Sequence, residues 1–113
     1  FDIPVEVDGD WQGVELPRSV EISLFRIYQE ALNNVHKHAR ATSIRVTLKQ
    51  SVEICSITIV DDGVGFDDTV PARGSYGLQG IRERLTLAGG KLEIYSKLGQ
   101  GTKLYCEVER THG

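Results

Sequence analysis

The chain has 113 residues, 13 of them Lys or Arg and 16 Asp or Glu, for a formal charge of −3, and 40% are hydrophobic. That length suits one domain, the apolar fraction excludes a disordered chain, the slight acidity argues against a dedicated nucleic-acid binder, and no apolar run approaches the ~20 residues of a membrane span. The chain starts at Phe1, contains no Met and shows no signal-peptide pattern, so it is expected to be one complete domain and a piece of a longer protein.

Ile3, Val5 and Val7 alternate with Pro4, Glu6 and Asp8, the period of a strand, and Asp8-Gly9-Asp10 is turn chemistry. Pro17 and Ser19 mark a helix start, with Ser19 as the N-cap. From about Val20 to Ala39 the spacing is helical. Leu24, Tyr28, Ala31, Leu32, Val35 and Ala39 share one face, and Arg26, Glu30, Asn33, Asn34 and Lys37 share the opposite one. Ser43–Gln50 and Val52–Val60 are predicted as strands of a tight hairpin split by Ser51, with Ile44, Val46 and Leu48 inward. Asp67 to Tyr76 is a polar loop. Gly77 to Ala88 is a second helix with Leu78, Ile81, Leu85 and Ala88 on one side, closed by Gly89-Gly90. Lys91–Lys97 and Thr102–Glu109 are two further strands, and Arg110–Gly113 is a polar tail. Cys55 and Cys106 lie in strand-like runs and are expected to be small buried hydrophobes. Strands in hairpins, interleaved with helices, predict an α/β (α+β) two-layer sandwich. Its mixed, mostly antiparallel sheet has about five strands, with helices on one face. A wound parallel sheet does not fit hairpin-connected strands.

On the long helix, Glu30 and Asn34 are one turn apart and Lys37 is a further three residues on. A carboxylate, an amide oxygen and an ammonium thus share one stripe. Hard oxygen ligands suit Mg²⁺ and the lysine offsets phosphate charge, although a solvated helix face carries such residues too. Asp61-Asp62-Gly63-Val64-Gly65 follows a buried strand. Glycines there let backbone approach a ligand, and the Asp can accept a hydrogen bond from the amino group of adenine; an acidic turn is the plainer reading. Gly74 to Gly80 opens the second helix, where free N–H groups favour phosphate, or where the glycines simply start the helix. Gly99-Gln100-Gly101-Thr102 is a hairpin turn. No Walker-type loop, GxGxxG, GxSxG or zinc signature is present, and His36, His38 and His112 lack metal-ligand spacing.

The order of these segments is more specific than any one of them. Ile27–Ala39, Asp61–Phe66, Gly77–Leu85, Gly90 and Gly99–Thr102 together closely resemble the ATP-binding catalytic domain of bacterial two-component sensor histidine kinases. These belong to the GHKL superfamily of HATPase (Bergerat) folds that also holds DNA gyrase. The resemblance covers nearly the whole chain, and the wording around Glu30 and Arg82 is most similar to the nitrate-sensor and membrane-fluidity-sensor subfamily. It implies that Asn34 ligates Mg²⁺, that Glu30 organises metal and water, and that Lys37 touches the phosphates, these three being the catalytic residues. It further implies that His38 lines the nucleotide site and Asp61 binds the adenine amino group. Gly63 and Gly65 would turn the backbone beneath the base, Gly77, Leu78 and Gly80 would form the phosphate end, and Thr102 the pocket floor. The stretch Gly74-Ser75-Tyr76-Gly77 departs from the family by one extra residue between its glycines.

The resemblance implies ATP and Mg²⁺ as ligands. The γ-phosphoryl acceptor is then a histidine on a dimerisation domain upstream of Phe1, with a response regulator downstream. No nucleic acid and no membrane contact by this domain are expected, and the isolated domain is expected to be a cytoplasmic monomer. A stand-alone serine kinase of the same superfamily, or a scaffold module that has lost ATP, are the alternatives.

Overall fold

A computed structural model describes residues 4–34, 42–64 and 76–110, with backbone alone at 34, 76–79 and 81. In chain order the elements are β1 (Val5–Asp8), α1 (Arg18–Asn34), β2 (Ile44–Gln50), β3 (Ile54–Asp61), α2 (Tyr76–Leu87), β4 (Lys91–Ser96) and β5 (Thr102–Glu109). They form one five-stranded sheet in the order β1-β2-β3-β5-β4. β1 and β2 pair in parallel, and every other neighbour is antiparallel. The pattern follows from the connections. Short links make β2–β3 and β4–β5 antiparallel, β1 reaches β2 only through the crossover helix α1, and α2 carries the chain past β3 to the edge strand β4, so that β5 returns antiparallel between them. The expected mixed, mostly antiparallel sandwich is the one observed.

One apolar cluster holds the layers together. The sheet contributes Ile44, Val46, Cys55, Ile57, Ile59, Leu92, Leu104, Cys106 and Val108, and the helices contribute Val20, Leu24, Ile27, Ala31 and Leu85. Thus both helices share one side of the sheet, with α1 against α2 and α2 against β4. Both cysteines are buried free thiols, as expected. Burial, chiefly, pushes the Cys106 thiol up to about 12, which keeps it protonated.

Three local expectations are corrected. The Pro17 carbonyl accepts from the Val20 and Glu21 N–H groups at 3.0 and 3.1 Å, so Pro17 caps α1 and Ser19 lies within its first turn. Proline suits the position because a helix start needs carbonyls there and no amide donor. Next, Val52 is 79% exposed and belongs to the β2–β3 turn. The Ser51 N–H donates to the Ile54 carbonyl at 2.8 Å, which closes a turn longer than Ser51 alone. The β-branched run continues past the point where pairing stops. Finally, the buried stripe of α1 centres on Ile27, 1% exposed, while Tyr28 and Leu32 are only partly buried. Packing against both the sheet and α2 rotates the stripe relative to the pattern read from one face. Glu30, expected on the solvent face, is accordingly half-buried. Val35 and Ala39 lie outside the described residues.

Candidate functional site

The site is built at one end of the core. In β3, the inward positions Cys55, Ile57, Ile59 and Asp61 alternate with outward ones, as period 2 requires. Pairing places Ile59 beside Leu104 and Leu104 beside Ile94, and one step further along places Asp61 beside Thr102 and Thr102 beside Ser96. An apolar row across β3, β5 and β4 is thus followed directly by a polar row on the same side. Asp61 and Ser96 are buried, and Thr102 is half-buried.

Burial raises the Asp61 carboxyl above the ordinary aspartate range. Backbone N–H groups of Gly63 and Thr102 pull it back, and the Asp62 charge pushes it further up. The Gly63 N–H donates to Asp61 Oδ1 at 2.9 Å. A carboxylate held this way, in a low-dielectric setting, is a strong acceptor for an N–H brought to it.

Two glycines of the β4–β5 turn close the site. Gly101 has φ of 77°, and a Cβ there would stand 2.2 Å from the Asp61 carbonyl oxygen. Only glycine lets β5 start so close to β3. The Gly99 N–H donates to the Val64 carbonyl at 2.6 Å, which ties this turn to the segment after Asp61. The two glycine-containing segments, far apart in sequence, therefore form one wall.

Asp62 takes the opposite environment to its neighbour. It is exposed, and its carboxylate accepts from the Thr42 N–H (2.8 Å), the Thr42 hydroxyl (2.5 Å) and the Ser43 N–H (3.0 Å). The Thr42 hydroxyl first, then the Ser43 and Thr42 N–H groups, lower its carboxyl to about 2. The chain that leaves α1 thereby returns beside Asp61.

The sequence-predicted residues fall into three groups. Asp61, Gly63 and Thr102 come together at the sheet end. Glu30 lies one turn before Asn34, the last described residue of α1, which is described by its backbone alone. Gly77, Leu78 and Gly80 lie in the first turns of α2, the first two by backbone only, and a Cβ at Gly80 would meet nothing within 4 Å among the described residues. Lys37, His38 and Gly65 lie outside the described residues. Sequence reasoning missed Ser96. Its signal was a serine at an inward position, after Leu92 and Ile94, in a strand whose partner starts with Thr102.

A buried carboxylate and a half-buried hydroxyl thus stand side by side at the end of the sheet, beside a glycine turn. Residues 19–112 match the family described as histidine kinase-, DNA gyrase B- and HSP90-like ATPase, and the chain belongs to that family. It is 39% identical over 100 residues to the signal transduction histidine-protein kinase/phosphatase DegS of Brevibacillus brevis, covering 88% of this chain and 26% of that protein. It is 35% identical over 105 residues to the sensor histidine kinase LiaS of Bacillus subtilis, covering 93% and 29%. The chain thus spans between a quarter and a third of the length of these curated relatives. Among solved structures, the histidine kinase domain of a blue-light activated histidine kinase from Erythrobacter litoralis EL346 superposes with a TM-score of 0.67 at 25% identity, over 93% of this chain and 53% of that one. Among the described residues no helix is long and apolar enough to cross a membrane.

Proposed function

We propose that this chain is the catalytic ATP-binding domain of a sensor histidine kinase, one part of a longer protein. The observation that carries the reading is the buried Asp61 beside Gly63, Gly101 and Thr102, in a chain of this ATPase family. Asp61 accepts a hydrogen bond from the adenine amino group, Gly63 and Gly65 let the backbone pass beneath the base, and Thr102 forms the floor. Gly77, Leu78 and Gly80 bring the N-terminal N–H groups of α2 to the phosphates, where the helix dipole favours negative charge. Lys37 offsets phosphate charge and His38 lines the site.

Asn34 and Glu30 are assigned to Mg²⁺. Among the described residues no group of three or more His, Cys, Asp or Glu is arranged to hold a metal. A hard ion such as Mg²⁺ is held by few protein oxygens, with water and phosphate completing its shell. When bound, Mg²⁺ supplies charge neutralisation at the phosphate oxygens. Half-buried Glu30 contributes a fixed carboxylate at that end of α1. The remaining work of the chain is to hold the γ-phosphoryl group in line with its acceptor.

The acceptor is a histidine on a dimerisation domain of the same protein, and the phosphoryl group passes on to a response regulator. That the relatives are named histidine kinases supports a histidine acceptor. No partner in this scheme is a nucleic acid or a lipid, and the isolated domain, a cytoplasmic monomer, binds ATP but phosphorylates nothing without its dimerisation domain.

Titration calorimetry with a non-hydrolysable ATP analogue tests the reading. Mg²⁺-dependent binding is expected, and Asn34→Ala should weaken binding more with Mg²⁺ than without it. An absence of heat up to millimolar nucleotide would sink the proposal.

A further inference from the structure

Ser96, the last residue of β4, is the most buried polar residue among those described, at 4% exposure. Its Oγ lies 3.0 Å from the Gly101 carbonyl oxygen and 2.8 Å from Thr102 Oγ1. A carbonyl oxygen can only accept, so the Ser96 hydrogen is committed to Gly101, and Ser96 is the acceptor in its contact with Thr102. Thr102 therefore points its own hydrogen at Ser96 and has lone pairs to offer a ligand. On the paired position of β3 stands the Asp61 carboxylate, whose ionised form is also an acceptor only. Asp61 and Thr102 thus present two neighbouring acceptors, and neither offers a hydroxyl donor to a ligand.

We propose that Ser96 is a positioning residue that fixes the direction of the Thr102 hydroxyl and so sets the preference of the pocket for a 6-amino purine over a 6-oxo purine. The inference rests on the reading of Asp61 and Thr102 as contacts to the base. A 6-amino group brings two hydrogens to an acceptor-only floor. A 6-oxo group brings a further acceptor, which leaves buried lone pairs opposed. Without the Ser96 oxygen, the Thr102 hydroxyl is free to rotate and donate, and the 6-oxo base is tolerated.

The test measures the ratio of dissociation constants for IDP and ADP by calorimetry, with Mg²⁺ present. The native chain should favour ADP, and Ser96→Ala should shrink that preference by about tenfold. Ser96→Thr, which keeps the hydroxyl, should restore it. Because Ser96 acts through Thr102, adding Ser96→Ala to Thr102→Val should leave the ratio of the single Thr102→Val variant unchanged. Ser96→Cys carries the same expectation as alanine and serves if the alanine variant does not fold. An unchanged ratio in the native-to-alanine comparison overturns the role of Ser96, as does a ratio already near one in the native chain. A loss of ratio that persists on the Thr102→Val background overturns it too. Binding of neither diphosphate by the native chain overturns the base-binding reading itself, and this inference with it.

Discussion

The two ends of the sheet's helix-facing side use the same strands differently. At one end, Cys55 pairs with Val108 and Leu92 with Cys106, and all four are buried apolar groups beneath the helices. At the other, the same strands offer Asp61, Thr102 and Ser96. The apolar end gains free energy by excluding water. The polar end spends some of it by burying a carboxylate whose ionised form is disfavoured there, as its raised carboxyl reflects. The difference is a division of labour: one end stabilises the fold, and the other, at some cost to stability, carries the polar groups to which the proposed function assigns binding.

Four experiments break or sharpen that division. The largest effect is expected at Gly101, which belongs to the binding end by place and to the folding end by energetics. Gly101→Ala drives a methyl group into the Asp61 carbonyl at positive φ. It should cost about 4 kcal/mol or more in denaturant unfolding and remove nucleotide binding with it. A fully folded, binding-competent variant would break the comparison.

At the apolar end, Leu92→Ala should lower stability by about 2–5 kcal/mol. The dissociation constant for ATP should stay unchanged at temperatures where the variant is folded. Asp61→Asn should do the reverse. It loses a charged acceptor, which weakens binding by about 10–100-fold, while its melting temperature is not lowered, because the buried charge opposed folding. A marked drop in melting temperature would mean that Asp61 serves the fold.

The smallest effects concern pH, and the two adjacent carboxylates respond with opposite sign. Asp61 has a raised carboxyl, so as pH falls through that value its protonation should weaken ATP binding while favouring the fold. Asp62, lowered to about 2, contributes stability that is present above the ordinary aspartate value. That stability should fade as pH falls from about 4 to about 2. Asp62→Asn should flatten this acid limb in a melting-temperature series, and Asp61→Asn should flatten the binding profile. The same pH response in both variants would contradict the separate environments.

Much of this was legible in the sequence. Alternation in Ile57–Asp61 and Thr102–Val108 fixed which side chains face inward, and hairpin turns at Gln50–Ile54 and Gly99–Gly101 fixed antiparallel pairing. Asp61 and Gly63 stood out as a carboxylate followed by glycines at the end of a buried strand, whereas Thr102, in a segment that reads by itself as a hairpin turn, stood out only through the resemblance to the family. Ser96 did not, since an isolated serine in Lys91–Lys97 carries no signal until pairing sets it beside Thr102. Glu30 turned out half-buried on the polar face of α1, a degree of burial that a helical wheel does not give. Val52 was placed in a strand by its β-branched side chain, although what ends the pairing is the turn bond from Ser51 to Ile54.

The sequence alone therefore determined the element types, the approximate class of sheet and the ordered segments that mark the family, because periodicity, glycine and capping chemistry act over a few residues. Only the tertiary structure decided that Asp61, Thr102 and Ser96 make one row and that the carboxyls of Asp61 and Asp62 are shifted from the ordinary aspartate value in opposite directions. The strand register did this, bringing residues some forty positions apart into hydrogen-bonding distance, and burying one of two adjacent carboxylates while leaving the other in water.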